Sequence, residues 1–455
     1  MLQTTLPIIE NISPKLIHNL GFDSKVQKDI ELKLRREHIP NGVRNRPADF
    51  WLLYDSDINH DRLIADVNSV ARLDSIFQEN SHPQERDEEI VDYLMMSGVI
   101  CDEKRLKSYW LPPVEDALSS PVKFFFNPSG KCPNKCLTCF ADELSSATLE
   151  DKVAREALDQ ILNLPFFWLN LGGCELSFYP LYFEFAEKAI KSGVHASTAI
   201  SGVGLKREWA ERVRDLGVKV KVSLDGPKRI NDIQRPETYE PAIEAIRMFR
   251  DIGYPVKMNL VHSRYNNDER VIDEMFDIAL ANGASGIDIS ICRPKGGALE
   301  NDLMIPYEDF ESGKVKSVLD RFLNHPYIKR HGIKAWVNKS YRKLDYLDAK
   351  PCQALNTHCN AGRYSMGVNN NGLIDACIFI PDELIPTANV NNPEFLRNPN
   401  FLLDVWQNNP IFKKVREASK GKLCGSCEDK GIEMVRGCLA LEDYYKQGNP
   451  LHFLH

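Results

Sequence analysis

Apolar and polar residues in the middle of the chain follow two alternating periodicities. Six short apolar runs have the composition of buried strands: VKFFF (122–126), FWLNLGG (167–173), HASTAI (195–200), VKVKVSLDG (218–226), VKMNLV (256–261) and IDISIC (287–292). Segments between them, such as 149–162, 181–193 and 239–253, carry apolar residues three and four positions apart, as amphipathic helices do. This alternation predicts an α/β fold with a parallel sheet, and six repeats predict a partial (β/α)6 TIM-like barrel over residues 118–335. The active site of such a barrel lies at the carboxyl ends of its strands.

The first 110 residues have a different pattern. Residues 1–40 are helical in character, and the Pro-Asn-Gly at 40–42 ends them. Four further elements are predicted after it: strands at 50–56 and 62–67, joined by a polar turn, and helices at 68–78 and 87–100. This strand-strand-helix-helix order predicts a small winged-helix-like domain within residues 1–110.

The last region, residues 340–455, consists of short strands and loops. Asn371-Gly372 within it is a strong signal for a β-hairpin turn, because both residues tolerate a positive φ. We therefore expect a third domain that is built differently from the barrel.

Charge and hydropathy limit the possible binding partners and the cellular compartment. The net charge of −7 gives no support to a nucleic-acid or membrane-surface partner, since these usually require a basic face. Lys33, Arg35 and Arg36 form a local basic group, which we interpret as a solvated helix face. No apolar run approaches the roughly 18 residues that span a bilayer, and the first residues lack the features of a secretory signal. We expect a cytoplasmic protein.

Twelve cysteines in a reducing compartment need an explanation other than disulfides, and metal ligation is the first choice. They are clustered along the chain. Three lie together at Cys132, Cys136 and Cys139, and six follow residue 350: Cys352, Cys359, Cys377, Cys424, Cys427 and Cys438. The scattered ones are Cys101, Cys174 and Cys292.

The segment KCPNKCLTCF places a C-x3-C-x2-C motif directly after the first predicted barrel strand. Three thiolates on one loop can hold one side of an iron–sulfur cluster and leave one iron without a protein ligand. A structural zinc or cluster site normally has four ligands, and no fourth Cys or His lies nearby. The spacing indicates a metal that acts on a small molecule.

This loop resembles the signature of radical S-adenosylmethionine (SAM) enzymes. The resemblance implies a 4Fe–4S cluster on Cys132, Cys136 and Cys139, which binds SAM and cleaves it to a 5′-deoxyadenosyl radical. Thr138 stands where the family usually has an aromatic residue. Other matching positions imply the SAM-binding residues Gly172, Gly173, Glu175, Ser201, Ser223, Asp225, Asn259 and Arg293. Cys174 and Cys292, at the ends of strands two and six, are candidate catalytic or substrate-contacting thiols, with buried core thiols as the alternative.

The C-terminal cysteines resemble the SPASM/twitch extension of these enzymes, which carries auxiliary iron–sulfur clusters. Six thiols suffice for one complete cluster, and a second would be incompletely ligated. Two ligand sets compete: Cys359, Cys377, Cys424 and Cys427, or Cys352, Cys359, Cys377 and Cys438. A zinc ribbon on the same spacing is the alternative.

The pattern of residues 45–105 resembles the PqqD-like peptide-recognition element of enzymes that modify ribosomally made peptides. Such elements bind a leader peptide as an added strand. The alternative is a structural cap on the barrel. The resemblance implies an enzyme that modifies a precursor peptide by hydrogen-atom abstraction and receives electrons from a flavodoxin or ferredoxin. Two rival functions remain: a radical SAM enzyme acting on a folded protein or small molecule, and a non-catalytic iron–sulfur or zinc regulatory protein.

Overall fold

The structure is a computed structural model that describes nine ranges of the chain: 32–43, 46–55, 60–64, 106–110, 118–140, 147–337, 361–379, 388–419 and 438–447. The first four ranges are described by their backbone alone.

Four strands near the start of the chain form one sheet. They are β1 (Leu32–Val43), β2 (Arg46–Asp55), β3 (His60–Ile64) and β4 (Leu106–Trp110), in the order β3-β2-β1-β4. β2 pairs antiparallel with β1 and β3, whereas β4 lies parallel to β1. The hairpin predicted from 50–56 and 62–67 is confirmed, and β3 is an edge strand of this sheet. The helices predicted at 68–78 and 87–100 lie outside the described residues.

β1 corrects the expectation of a helix before residue 40. Three basic residues therefore lie on a strand and not on a helix face: Lys33, Arg35 and Arg36. The register shifts between Ile39 and Val43, so the Pro-Asn-Gly at 40–42 produces an irregularity within the strand and does not end the element. Helix propensity is a weak preference, and pairing with the apolar β2 overrides it.

A nine-stranded sheet forms the barrel, and the seven of its strands that lie before residue 338 run parallel to one another. They are β5 (Lys123–Phe126), β6 (Trp168–Leu171), β7 (His195–Ile200), β8 (Lys219–Ser223), β9 (Lys257–His262), β10 (Gly286–Ile291) and β11 (Lys334–Val337). The six predicted strands are confirmed, and β11 is a seventh that the hydrophobic pattern did not reveal.

Helices connect these strands and cover the outer face of the sheet. Those up to residue 331 are α1 (Asp151–Asn163), α2 (Tyr182–Lys191), α3 (Arg207–Leu216), α4 (Lys228–Gln234), α5 (Tyr239–Asp251), α6 (Glu269–Asn282), α7 (Gly297–Glu300), α8 (Tyr307–Glu311), α9 (Lys314–Leu323) and α10 (Pro326–His331). A short 3-10 helix at Leu176–Phe178 follows β6. α1, α2 and α5 confirm the helices predicted at 149–162, 181–193 and 239–253. No helix among the described residues is long and apolar enough to cross a membrane.

Successive side chains along each strand point alternately to a buried outer face and a more open inner face of the sheet. In β5, Phe124 and Phe126 are fully buried in the core beneath the helices, whereas Lys123 and Phe125 are half-buried on the other side. The sequence repeats this alternation in β8 and β9. It fixes which side chains face the inside of the barrel.

The described part of the last region packs onto the barrel. β12 (Ser365–Val368) runs parallel to β5, and β13 (Ile374–Asp375) returns antiparallel, which confirms the predicted hairpin with Gly372 at a φ of +84°. The helices here are α11 (Pro393–Arg397), α12 (Phe401–Asn408), α13 (Pro410–Ser419) and α14 (Leu439–Gln447). Buried Trp406 donates from Nε1 to the Leu118 carbonyl at 2.8 Å, so α12 is tied to the start of the barrel.

Candidate active site at the carboxyl ends of the strands

The loop after β5, residues 127–140, carries the three clustered cysteines at the carboxyl edge of the sheet. The N–H of Leu137 donates to the Gln234 carbonyl at 2.8 Å, which anchors the loop to the end of α4. The N–H of Cys139 donates to the Cys136 carbonyl at 3.2 Å and closes a turn between these two cysteines. We call residues 127–140 the cysteine loop.

The thiols of the cysteine loop influence one another's ionisation. Burial raises the pKa of Cys132 and raises that of Cys136 to about 11, and negative charge on Cys139 acts in the same direction on both. In the described ranges no three His, Cys, Asp or Glu side chains surround a single metal ion.

Arg235 links the cysteine loop to a buried carboxylate. Its Nη1 lies 3.7 Å from the Sγ of Cys136, and its Nε donates to Oδ2 of Asp225 at 2.5 Å. The other oxygen of Asp225 accepts the N–H of Val261 at 2.8 Å, and the residue is 0% exposed. Asp225 thus orients a guanidinium toward a cysteine. Sequence reasoning missed Arg235, because nothing in its local pattern indicates a contact 99 positions away.

Glu175 is held at the end of β6 by residues that follow β6 and β7. Its Oε2 accepts both the N–H of Ser201 at 2.6 Å and the hydroxyl of Ser201 at 2.5 Å, and its Oε1 accepts the hydroxyl of Ser177 at 2.9 Å. The residue is 3% exposed, and burial raises its pKa despite these donors. Two residues predicted as SAM ligands, Glu175 and Ser201, are therefore in direct contact.

The glycine pair before Glu175 packs against the first residue of the cysteine loop. A Cβ on Gly173, whose φ is +99°, would lie 2.6 Å from Cβ and Cγ of Asn127. A Cβ on Gly172 would lie 2.9 Å from Oδ1 of Asn170. The absence of side chains here lets the loop after β6 come close to the loop after β5.

The other predicted ligands lie on the neighbouring strands. Ser223 and Asn259 are in register on β8 and β9. The guanidinium of Arg293, which follows β10, lies 4.6 Å from the ring centroid of Phe379, and that ring contacts Phe140 at 5.7 Å. Residues after Cys377 therefore reach the same edge of the barrel as the cysteine loop.

The two scattered cysteines of the barrel have different surroundings. Cys174 is half-buried, and its pKa is raised to about 12 by burial, with the charges of Cys132 and Cys139 acting in the same direction. Cys292 is buried in a small apolar cluster with Leu303 and Met304, and burial raises its pKa to about 12 as well. Of the two, Cys174 lies beside the cysteine loop.

Two of the six C-terminal cysteines are described, Cys377 and Cys438, and both are half-buried and form no disulfide among the described residues. Buried Lys295 donates from Nζ to the Ile378 carbonyl at 3.0 Å, which docks the segment after Cys377 on the loop after β10. The other four lie outside the described residues: Cys352, Cys359, Cys424 and Cys427. Both predicted ligand sets stay predictions.

Comparison with known families identifies the barrel. Residues 126–278 match the model of the Radical SAM superfamily. This range begins at the last residue of β5 and contains all three cysteines of the cysteine loop. The chain carries a radical SAM domain.

This chain resembles curated relatives over more than the barrel. It is 24% identical over 329 residues to Mycofactocin maturase MftC of Mycobacterium tuberculosis, which covers 69% of this chain and 77% of that protein. It is 26% identical over 329 residues to AdoMet-dependent heme synthase of Methanosarcina barkeri, covering 68% of this chain and 88% of that protein.

Solved structures share the fold of this chain. Streptococcus suis SuiB bound to precursor peptide SuiA aligns with a TM-score of 0.63 at 15% identity, covering 90% of this chain and 98% of that chain. Native anSMEcpe with bound AdoMet aligns with a TM-score of 0.50 at 19% identity, covering 71% of this chain and 96% of that chain.

A radical SAM enzyme uses a 4Fe–4S cluster and SAM, and the residues at this edge of the barrel fit both. The cysteine loop supplies three thiols, and the Oγ1 of buried Thr138 within it has no hydrogen-bond partner among the described residues. A buried hydroxyl without a partner is costly, so it fits a bound polar group beside the loop.

Proposed function

We propose that this radical SAM enzyme modifies a residue of a ribosomally synthesised precursor peptide. The observation that carries the proposal is how much of SuiB this chain matches. The alignment covers 98% of the SuiB chain, whose structure includes its precursor peptide, and it therefore extends beyond the barrel into the flanking regions. The similarity to a maturase, MftC, along 69% of the chain supports the same substrate class.

In this proposal Cys132, Cys136 and Cys139 would hold the cluster, and residues at the ends of β6 to β10 would hold SAM. When bound, the reduced cluster and SAM would supply the chemistry of hydrogen-atom abstraction from the substrate. Glu175 accepts an ammonium group, since Ser201 and Ser177 hold its carboxylate in place and Oε1, which accepts one hydrogen bond from Ser177, retains a lone pair. Gly172 and Gly173 let the loop after β5 approach it closely. The predicted contacts of Ser223, Asn259 and Arg293 complete the SAM site.

The cysteines after residue 350 hold an auxiliary iron–sulfur cluster in this proposal. Such a cluster would supply an acceptor for an electron from the substrate or a metal that anchors the product. The docking of residues 377–379 at the barrel edge, through Lys295 and Arg293, supports a position close to the substrate. Cys359 and Cys377 belong to both competing ligand sets and are the first to test.

The sheet of β1 to β4 binds the leader of the precursor peptide. Among the described strands β3 lies at one edge of this sheet, and the backbone groups on its open side offer a template for one more strand. We place the reaction in the reducing cytoplasm, where a flavodoxin or ferredoxin supplies the electron.

The test combines the full chain, SAM, a reductant and the peptide encoded by a small reading frame beside its gene, under anaerobic conditions. We expect a mass change in the peptide together with 5′-deoxyadenosine. The variant with Ala at all three positions of the cysteine loop should lose about four irons per chain and form no 5′-deoxyadenosine. SAM cleavage by that variant would refute the cluster assignment. Modification of a folded protein or metabolite in place of the peptide would refute the substrate class.

A further inference from the structure

Two of the three thiols in the cysteine loop lie beside hydrogen-bond donors. The backbone N–H groups of Asn134 and Glu175 donate to the Sγ of Cys132. The guanidinium of Arg235 lies beside Cys136, with 3.7 Å between Nη1 and Sγ. Donors around the sulfurs of an iron–sulfur cluster help to set its reduction potential. A donor beside the third thiol acts on the same property.

Thr138 directly precedes the third thiol, that of Cys139, and carries a buried hydroxyl. The residue is 9% exposed, and its Oγ1 has no hydrogen-bond partner in the part of the chain that the structure describes. A hydroxyl that leaves water on folding and makes no new hydrogen bond destabilises the folded chain. The hydroxyl of Thr138 therefore fits an acceptor that is bound after folding.

The turn that contains Thr138 is held from two sides. The N–H of Cys139 donates to the carbonyl of Cys136 at 3.2 Å, which closes the turn. A Cβ on Gly297 would lie 2.9 Å from the carbonyl oxygen of Leu137, so the loop after β10 packs directly against the turn. These contacts fix the backbone on both sides of Thr138, and its hydroxyl moves mainly by rotation about χ1.

Leu137, the other residue within the turn, offers no acceptor from its side chain. It packs against the apolar cluster that contains Cys292, Leu303 and Met304. Along the chain, the polar side-chain atoms closest to Thr138 are the two thiols on either side of it. Thiolates and sulfides of a bound cluster carry negative charge, which strengthens a hydrogen bond from an O–H donor. The cysteine loop with its cluster therefore supplies the acceptor.

We propose that the hydroxyl of Thr138 donates a hydrogen bond to a sulfur of the 4Fe–4S cluster and raises the reduction potential of that cluster. The inference rests on the proposed function for the position of the cluster on the cysteine loop. A donor stabilises the reduced cluster more than the oxidised one, because the reduced cluster carries one more negative charge. Thr138 stands where radical SAM enzymes usually have an aromatic residue, so this hydrogen bond distinguishes the chain from most of the family.

The test is a redox titration of the cluster-loaded full chain, followed by electron paramagnetic resonance. Thr138→Val keeps the shape of the side chain and removes its hydroxyl. At a fixed solution potential near the midpoint, the ratio of reduced to oxidised cluster should fall about threefold, which corresponds to about 28 mV. The signal of this cluster is the one that changes when SAM is added and that is missing from the variant with Ala at all three cysteines of the loop.

A rescue variant and a matched control accompany this measurement. Thr138→Ser keeps the hydroxyl and should keep the wild-type potential. Thr198→Val makes the same change at another buried threonine, on the outer face of β7, and should leave the potential unchanged. Electron–nuclear double resonance should detect an exchangeable proton near the cluster in the wild type that is lost in Thr138→Val. A wild-type potential in Thr138→Val would overturn the proposal.

Unfolding of the cluster-free chain separates this role from a structural one. Because the cluster supplies the acceptor, cluster-free Thr138→Val should unfold at the same urea concentration as the wild type or a higher one, since it loses an unpaired buried hydroxyl. A lower urea midpoint would show that the hydroxyl is bonded within the folded chain itself, and would overturn the proposal.

The cluster assignment and the role of Thr138 fail in distinguishable ways. If Thr138→Val binds as much iron as the wild type and has the same potential, the role of the hydroxyl is wrong and the proposed function stands. If the variant with Ala at all three cysteines keeps its iron and still cleaves SAM, the proposed function is wrong and the role of Thr138 is overturned with it.

Discussion

The carboxylate of Asp225 and the guanidinium of Arg235 form a buried ion pair, with 2.5 Å between Oδ2 and Nε, and the same guanidinium reaches the Sγ of Cys136. Arg235 is 14% exposed and Asp225 is not exposed at all, so water screens the pair little. The positive charge of Arg235 lies next to the thiol of Cys136, and the negative charge of Asp225 lies farther from it. The two residues should therefore shift the reduction potential of a cluster held by Cys136 in opposite directions.

We predict that Arg235→Gln lowers the midpoint potential of the 4Fe–4S cluster and that Asp225→Asn raises it. Hydrogen bonds and charge near the sulfurs set such potentials, and a donor cation stabilises the more negative reduced form. The measurement is a redox titration followed by electron paramagnetic resonance. Arg207→Gln, on the exposed surface of α3, is the control and should leave the potential unchanged. Shifts of the same sign in Arg235→Gln and Asp225→Asn would contradict this account.

His195 should make the barrel sensitive to acid. Burial, and secondarily Lys219 and Lys123, lower its pKa to about 3, from 6.5 in the unfolded chain. The unfolded state therefore binds more protons between these values, so this contribution to stability is complete above pH 6.5 and is lost as the pH falls toward 3. Between pH 7.5 and 5.5 the loss amounts to about 1.4 kcal/mol. Urea unfolding of the cluster-free chain measures it.

In that experiment His195→Gln should show a smaller loss of stability on acidification than the wild type. His331→Gln removes an exposed imidazole from the end of α10 and should behave as the wild type does. An identical pH dependence in His195→Gln and the wild type would show that the residue is not buried as a neutral group.

Gly173→Ala should destabilise the enzyme more than Gly217→Ala. Both glycines have a positive φ, +99° and +71°, but a Cβ on Gly217 meets nothing within 4 Å, whereas one on Gly173 would lie 2.6 Å from Asn127. Strain alone costs about 1 kcal/mol, and the clash should at least double that cost. Chemical denaturation compares the two, and adding Asn127→Gly should recover part of the loss in Gly173→Ala. Equal losses would mean that the loop after β5 moves aside freely.

The barrel could be predicted well because its strands bury one face and its helices bury one stripe. The run HASTAI was assigned to residues 195–200, and β7 occupies those residues. β11 was missed, because its four residues, KAWV, carry a lysine on the inner face and offer too few apolar positions to show a period. β1 was missed because its residues favour helix locally and become a strand through pairing with β2.

The site could be predicted only where its residues share a loop. The spacing of Cys132, Cys136 and Cys139 is visible in the sequence, since one loop brings them together. The contact of Arg235 with Cys136 depends on the fold, as does that of Ser201 with Glu175 across 26 positions. The alternating lysines of VKVKVS are equally plain in the sequence, but the fold decides that the face of β8 that carries them lines the inside of the barrel.

Cys377→Ala should lower the iron content while leaving SAM cleavage measurable without substrate, because Cys377 lies outside the cysteine loop. Iron analysis and 5′-deoxyadenosine formation are measured on the same preparation. Cys352→Ala and Cys424→Ala then separate the two ligand sets, since each residue belongs to one set only. Zinc in place of iron after anaerobic preparation would refute an auxiliary cluster.

The last prediction concerns β3 as the binding edge for a leader peptide. A full-length chain should bind the leader segment of its precursor peptide with a micromolar dissociation constant or better, about −8 kcal/mol, and with little dependence on salt, because main-chain pairing carries the affinity. Adjacent residues of a strand direct their N–H groups to opposite edges, so either Arg62 or Leu63 donates toward the open side.

Proline at these two positions provides a matched pair of variants, because proline removes the N–H. Where the N–H faces the open side, proline should spare folding and SAM cleavage but weaken leader binding and slow modification of the full-length peptide. Where it faces β2, proline should disturb the sheet itself, which circular dichroism and thermal unfolding detect. If both variants fold and modify the peptide as efficiently as the wild type, β3 does not receive the leader, and the sheet of β1 to β4 serves only as a cap.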